Sequence, residues 1–186
     1  MKKRVFVLLA DGFEEIEAIT CIDILRRAEL DVTVVGIGKS DIKGSREVEI
    51  KADTEIGSCK DSPDAIVLPG GMPGVNNLAA SRDVNDLINK AYKKGKIIAA
   101  ICAAPSYVLA PTGIIRDKGV TCYPGCEDML KDKAKFVDKK LVVDGNIITS
   151  QGPGTAFDFA LKIVEVLAGE SVKETVRKKT LYEFKR

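Results

Sequence analysis

The stretch Lys96–Pro111, KIIAAICAAPSYVLAP, decides how the chain is read. Ile97–Ile101 is an unbroken apolar run of strand length. A cysteine, two alanines and Pro105 follow at once, and proline suits the first turn of a helix. Cys102 therefore falls at a strand-to-helix joint. The first backbone N–H groups of a helix would point at a thiol held there, an arrangement that favours a thiolate near neutral pH. The other reading is an inert buried thiol.

Working outward, Val- and Ile-rich runs of the same kind recur at Arg4–Ala10, Asp31–Gly36 and Ala65–Leu68, separated by helical patterns or Gly-rich loops. That alternation predicts an α/β fold with a mostly parallel central sheet. Glu47–Ala52 alternates charged and apolar residues and reads as a half-exposed strand or hairpin arm. Val120–Tyr123, Lys140–Asp144 and Ile147–Ser150 add strands, the last two joined through Gly145-Asn146 as a tight hairpin. Helices are expected over Ser81–Lys94, capped by Ser81, and over Thr155–Ala168, capped by Thr155 and stopped at Gly169. The basic tail beyond, with Lys173, Arg177, Lys178, Lys179, Lys185 and Arg186, reads as a solvated surface helix and a frayed end.

A chain of 186 residues with 45% hydrophobic residues supports one well-buried core, so residues 1–186 are read as a single domain. Lys and Arg number 29 against 27 Asp and Glu, a balance that gives no electrostatic case for nucleic acid or an anionic membrane. The opening MKKRVFVLLADG starts like a secretory leader, but Asp11, Gly12, Glu14 and Glu15 break the apolar run, which reads as a strand. No stretch nears the roughly 18 apolar residues of a membrane span. Five scattered cysteines, an odd number, suit reduced thiols in a cytoplasm better than a disulfide framework.

The first helix begins among three carboxylates, Glu14, Glu15 and Glu17. Projected at 3.6 residues per turn, Glu17 shares an apolar face with Cys21, Ile24 and Ala28, while Asp23 and Arg27 lie opposite. Glu14 and Glu15 read as residues that favour a helix N-terminus. An inward carboxyl such as Glu17 needs a partner or a raised pKa, and either makes it a candidate acid or base. The loop Pro69–Gly74 follows a strand at the end where parallel sheets gather ligands. Gly70 and Gly71 would let a backbone N–H approach a bound oxygen there, or would simply make a tight loop.

Three familiar signals fail. GIGKS at residues 36–40 has Thr33 where a phosphate loop needs its first glycine, and no helical pattern follows it. Asp11, Glu14 and Glu15 would repel a phosphate after the first strand. Cys122 and Cys126 lack the histidine or second cysteine pair of a structural zinc site, so neither metal nor cofactor is expected. The chain has no histidine at all, which excludes a Cys-His or Ser-His hydrolase dyad within it. A nucleophilic Cys102 would depend on a helix N-terminus and a carboxyl partner, for which Glu17 is the inward-facing candidate.

DGFEEIE at Asp11–Glu17, LPGG at Leu68–Gly71, AAICAAP at Ala99–Pro105 and TSQGPGT at Thr149–Thr155 together resemble the ThiJ/PfpI superfamily, in the branch of the parkinsonism-associated deglycase and bacterial YajL. The similarity runs in register from about Arg4 to Gly169. It implies a flavodoxin-like three-layer sandwich, a homodimer and a nucleophile elbow. It also implies catalytic Cys102 and Glu17, oxyanion or binding donors at Gly71, Ala103 and Gly70, and a pocket drawing on Tyr123, Glu14, Gly152 and Pro153. Tyr123 stands where some relatives carry histidine, and Ala103 stands where protease-like members carry one. The resemblance thus implies cofactor-free glyoxalase or deglycase chemistry on small reactive carbonyl compounds, not proteolysis. The alternatives are an oxidative-stress sensor or chaperone that uses oxidation of Cys102, and a binding module with a vestigial pocket.

Overall fold

The computed structural model describes residues 2–59 and 62–182, so Lys185 and Arg186 lie outside the described residues. Its strands are β1 (Arg4–Leu9), β2 (Asp31–Gly36), β3 (Asp41–Lys43), β4 (Glu49–Lys51), β5 (Thr54–Glu55), β6 (Ala65–Leu68), β7 (Ile97–Ile101), β8 (Gly119–Val120), β9 (Lys135–Phe136), β10 (Leu141–Asp144) and β11 (Ile147–Ser150). Its α-helices are α1 (Glu15–Arg27), α2 (Gly74–Ala80), α3 (Arg82–Lys93), α4 (Ala110–Thr112), α5 (Ala156–Ala168) and α6 (Glu170–Lys179).

Seven strands form one sheet in the order β10-β11-β7-β6-β1-β2-β5, parallel throughout except for the β10–β11 hairpin. Helices cover both faces, so the central strands must be apolar on both sides, and β6 and β11 are buried at every residue. The order of the inner strands is the flavodoxin-like one: the chain leaves β1 toward β2 and returns on the other side of β1 as β6. The crevice at that reversal opens at the carboxyl ends of β1 and β6, where such sheets hold ligands. Glu14 and Glu17 follow β1, Gly70 and Gly71 follow β6, and Cys102 follows β7. Three distant parts of the sequence thus meet at one edge of the sheet.

The hairpin arm expected over residues 47–52 is β4, paired antiparallel with β3 outside the main sheet. Four local expectations are corrected. The strand expected over Val120–Tyr123 ends at Val120, and its short β8 pairs with β9 rather than joining the main sheet. The backbone N–H groups beyond it are taken elsewhere: Thr121 donates to Thr149 Oγ1 at 2.9 Å and Tyr123 to the Cys102 carbonyl at 2.8 Å. Thr155 stands at the N-cap position of α5 as expected, but its side chain makes no capping bond to the helix. Its hydroxyl turns back to the Gly152 carbonyl (2.8 Å) and lies 2.7 Å from Ser150 Oγ, which closes a 3-10 turn over Pro153–Thr155. The loop after β6 runs directly into α2, a helix the sequence pattern did not announce. Finally, α6 is packed, not merely solvated: Val176 is buried, Lys173 bridges Glu165 and Glu170, and Tyr182 stacks on Phe157 with centroids 4.4 Å apart. Among the described residues no helix is long and apolar enough to cross a membrane.

Candidate active site

Cys102 is the turning point between β7 and the helical segment that follows. Its φ is +65°, a left-handed conformation that costs a residue with a Cβ roughly 1–2 kcal/mol. Surrounding hydrogen bonds hold it there: Cys102 N–H donates to the Ser150 carbonyl at 2.9 Å, and the Cys102 carbonyl accepts from Tyr123. The nucleophile elbow is therefore present as a strained backbone. The segment after it is wider than a standard helix. Pro105–Leu109 forms a π-helical turn that runs into α4 and ends at Gly113, φ +77°.

Glu17 lies in the first turn of α1 and is fully buried, as its helical projection predicts. The Gly70 N–H donates to its Oε2 at 2.7 Å, while Oε1 is buried with no hydrogen-bond partner among the described residues. Gly70 explains how the carboxyl and the thiol come together. A Cβ on this residue would lie 2.9 Å from both Glu17 Oε2 and Cys102 Sγ, and 2.6 Å from Cys102 Cβ, so only a bare Cα allows the approach. Gly71 has φ +95°, and a Cβ on it would collide with the backbone of Gly12, Phe13 and Glu14. Both glycines are thus required by close packing at the site, not by loop tightness alone.

Burial pushes the Glu17 carboxyl up to about 7, against the pull of the Gly70 N–H and the Cys102 thiol, with the Glu14 carboxylate adding to the rise. The Cys102 thiol is pushed up as well, first by burial and then by the Glu17 carboxylate, while the N–H groups of Ala103 and Gly71 favour its thiolate. This corrects the expectation that a helix end alone would hold the thiol down near neutrality. Cys102 is only 8% exposed and its thiol faces a carboxyl, and these two factors outweigh two amide dipoles. The pair is coupled. When Glu17 carries a proton, its negative charge is gone and the carboxyl O–H becomes a donor toward sulfur, so the thiolate gains where Glu17 is neutral.

Of the expected site residues, the fold brings Cys102, Glu17, Gly70, Gly71 and Ala103 together. Gly71 and Ala103 aim N–H groups at the sulfur. Gly70 does not supply a free donor, because its N–H is committed to Glu17. Tyr123 is half-exposed, tied to Cys102 through the backbone, and its ring lies where a Cβ on Gly152 would meet it at 3.2 Å. Pro153 opens the 3-10 turn after Gly152, and no interaction with the thiol is found for it. Glu14 caps α1, its Oε2 accepting from Glu17 N–H at 2.7 Å.

Glu15, read from sequence as a helix-favouring residue, is buried and acts as an anchor. Its carboxylate accepts from the Arg46 N–H and from Ser45 Oγ (3.2 Å), tying the loop between β3 and β4 to the start of α1. Cys122 is buried with its thiol pushed up to about 11 by burial, with Ser106 pulling it back.

The chain matches the model of the DJ-1/PfpI family over residues 3–166. It is 46% identical over 187 residues to Protein dj-1beta of Drosophila melanogaster, covering 99% of this chain and all of that protein. The crystal structure of that Drosophila protein superposes with a TM-score of 0.96 at 45% identity, over 99% of this chain and 100% of that one. Glutathione-independent glyoxalase DJR-1.2 of Caenorhabditis elegans is 38% identical over 170 residues, 90% of either chain. Oxidized DJ-1 of Toxoplasma gondii superposes with a TM-score of 0.93 at 34% identity, over 98% of this chain and 100% of that one.

Proposed function

The chain belongs to the DJ-1/PfpI family, and from that premise we propose that it is a cofactor-independent glyoxalase or deglycase acting on methylglyoxal, glyoxal or their early adducts. The observation that carries the reading is a buried carboxyl with a pKa near neutrality, set against a strained thiol on which two backbone N–H groups converge. A base or acid poised near the working pH is the most effective for proton transfer, and a buried carboxylate needs such a reason to persist.

The reaction requires no net oxidation. The Cys102 sulfur adds to the aldehyde carbon of methylglyoxal, and the carbonyl oxygen takes up a proton to give a hemithioacetal. The Glu17 carboxylate removes the proton from that same carbon, giving an enediol. It then returns a proton to the neighbouring carbon, which leaves a 2-hydroxy thioester on Cys102. Water cleaves the thioester, releasing lactate and restoring the thiol. The Gly71 and Ala103 N–H groups stabilise the negative oxygen that forms beside the sulfur, since they need no reorganisation to do so. Incubation of the purified chain with methylglyoxal and no added thiol yields lactate, and Cys102→Ala and Glu17→Gln abolish it. An undiminished rate in Cys102→Ala would overturn the assignment.

The same site supports a second reading as an oxidation sensor. Two equivalents of peroxide convert a thiol to a sulfinate with release of two waters, and a protonated Glu17 would donate to the sulfinate oxygen. The solved Toxoplasma relative is described as oxidized, which favours this reading. Mass spectrometry after mild peroxide would find two added oxygens on Cys102; if oxidation falls on other residues first, this reading fails. Homodimerisation is part of the proposal. The exposed Ile16 and Ile19 of α1 and the nearby Val48 supply an apolar face for a second copy, and a monomeric mass in solution would exclude it. Five free cysteines support work in a reducing compartment such as the cytoplasm.

A further inference from the structure

Three hydrogen bonds close a ring around the start of α1. The Glu14 N–H donates to the Gly70 carbonyl at 2.9 Å, the Gly70 N–H donates to Glu17 Oε2 at 2.7 Å, and the Glu17 N–H donates to Glu14 Oε2 at 2.7 Å. Each bond joins a different pair, so no member can shift without lengthening another. Gly71, whose N–H faces the sulfur, has no room for a Cβ against the Glu14 backbone and so rides on the same ring.

We propose that Glu14 is the positioning residue of the Cys102–Glu17 pair, holding the Glu17 carboxyl and the Gly70–Gly71 loop in register against the thiol through this closed ring of hydrogen bonds. The inference deepens the proposed function and rests on it for its catalytic meaning, although the ring itself stands on geometry alone. An ordinary helix cap would serve α1 only. Here the capped N–H belongs to the candidate catalytic residue itself, and the backbone of the capping residue holds the loop that binds that residue's carboxyl.

Glu14 also acts through charge. The groups that face Glu17 are Glu14 and Cys21 from its own segment and Cys102 from the elbow, while the buried residues of α5, which packs on α1, are apolar. Glu14 in turn faces Glu15, Glu17 and Arg46, the last from the loop between β3 and β4. A carboxylate at Glu14 therefore discourages ionisation of Glu17 as well as fixing its place, and Arg46 sustains that effect by favouring the charged form of Glu14 against the burial that disfavours it.

Two substitutions separate the contributions. In Glu14→Gln an amide oxygen still accepts from Glu17 N–H, so the ring survives and only the charge is lost. In Glu14→Ala the ring opens. The readouts are the rate of Cys102 alkylation by iodoacetamide and the infrared titration of the Glu17 carboxyl, taken as a difference against Glu17→Gln. Glu14→Ala should change the alkylation rate by roughly tenfold or more, as misplacement of a reacting pair does, and Glu14→Gln should restore most of it. In Glu14→Gln the Glu17 titration should move to lower pH. Equal alkylation rates in wild type and Glu14→Ala, or a Glu17 titration that does not move in Glu14→Gln, would overturn the proposal. If Glu14→Ala does not fold, Glu14→Met, which keeps the bulk of the side chain but offers the Glu17 N–H no oxygen, takes its place, and alkylation at the wild-type rate in that variant overturns the proposal. Neither readout uses an aldehyde substrate, so absence of lactate formation alongside the expected shifts would reject the proposed function and leave this inference standing.

Discussion

Replacing Glu17 by Gln should remove a large loss of stability that wild type suffers as pH rises through neutrality. In the folded chain the Glu17 carboxyl titrates at about 7, against an ordinary value of 4.5, and burial is the chief cause. The folded state therefore holds a proton that the unfolded chain releases, and stability contributed by that proton is lost as pH rises from about 4.5 through about 7. At about 1.4 kcal/mol for each tenfold change in proton affinity, the loss across the window is about 3 kcal/mol. For a chain of this length that corresponds to a melting temperature lower by roughly 6–12 °C at the alkaline end. Gln keeps an oxygen for the Gly70 N–H and has no charge to desolvate. Urea unfolding of wild type and Glu17→Gln, at one protein concentration with reductant present, measures the difference directly, because titrating groups that do not face Glu17 cancel between the two proteins. Near pH 4 the two should differ little, and near pH 8 Glu17→Gln should be the more stable by about 3 kcal/mol. A difference that stays constant between those limits would refute the idea that burial holds Glu17 near neutrality, and with it the argument for its role as a poised base.

Other substitutions test the geometry. Gly70→Ala forces a methyl to within 2.6 Å of Cys102 Cβ, so the elbow must move; we expect a loss of about 1–3 kcal/mol in stability and a marked fall in Cys102 alkylation, and unchanged alkylation would refute the close approach. Because Cys102 has φ +65°, Cys102→Gly should be more stable than Cys102→Ala by about 1 kcal/mol in thermal unfolding, and the reverse order would mean the elbow is not strained. Cys21 and Cys122 are buried and their thiols pushed up, so neither should be alkylated by iodoacetamide in the native protein near neutral pH, whereas both should be after unfolding. Native labelling of either, read by peptide mass mapping, would contradict that packing.

The sequence disclosed those features whose cause is periodic. Strands β6 and β11 are buried at every residue, β1 and β7 at all but their first and β2 over its second half, so they read as continuous runs, and Glu17 was recoverable because a helix repeats every 3.6 residues, which sets it on the face of Cys21 and Ile24. What was hidden depends on contacts between distant residues. Residues 121–123 have strand-like composition, yet their N–H groups go to Thr149 and Cys102, and no local pattern records that choice. Thr155 has the side chain of a helix cap, but Ser150 and Gly152 compete for its hydroxyl. Glu15 looks like one more acid at a helix start until the loop at Ser45 and Arg46 folds over it.

The thiol itself shows why a local reading reaches a site's members before its electrostatics. A cysteine at the end of a strand and the start of a helical segment suggests a lowered pKa, since amide dipoles are a local property of the chain. Desolvation is not local: it arises because β1, β6 and β7 bring Glu17, Gly70 and Cys102 to one edge of the sheet and leave the sulfur almost without solvent. Once both groups are buried, neither has an independent pKa, and the chemistry turns on which of them holds the proton they share. A site of this kind does not need a strongly acidic thiol. It needs a carboxyl that is neutral often enough not to oppose charge on the sulfur, and ionised often enough to take a proton from carbon. Burial that sets Glu17 at about 7 meets both demands at once.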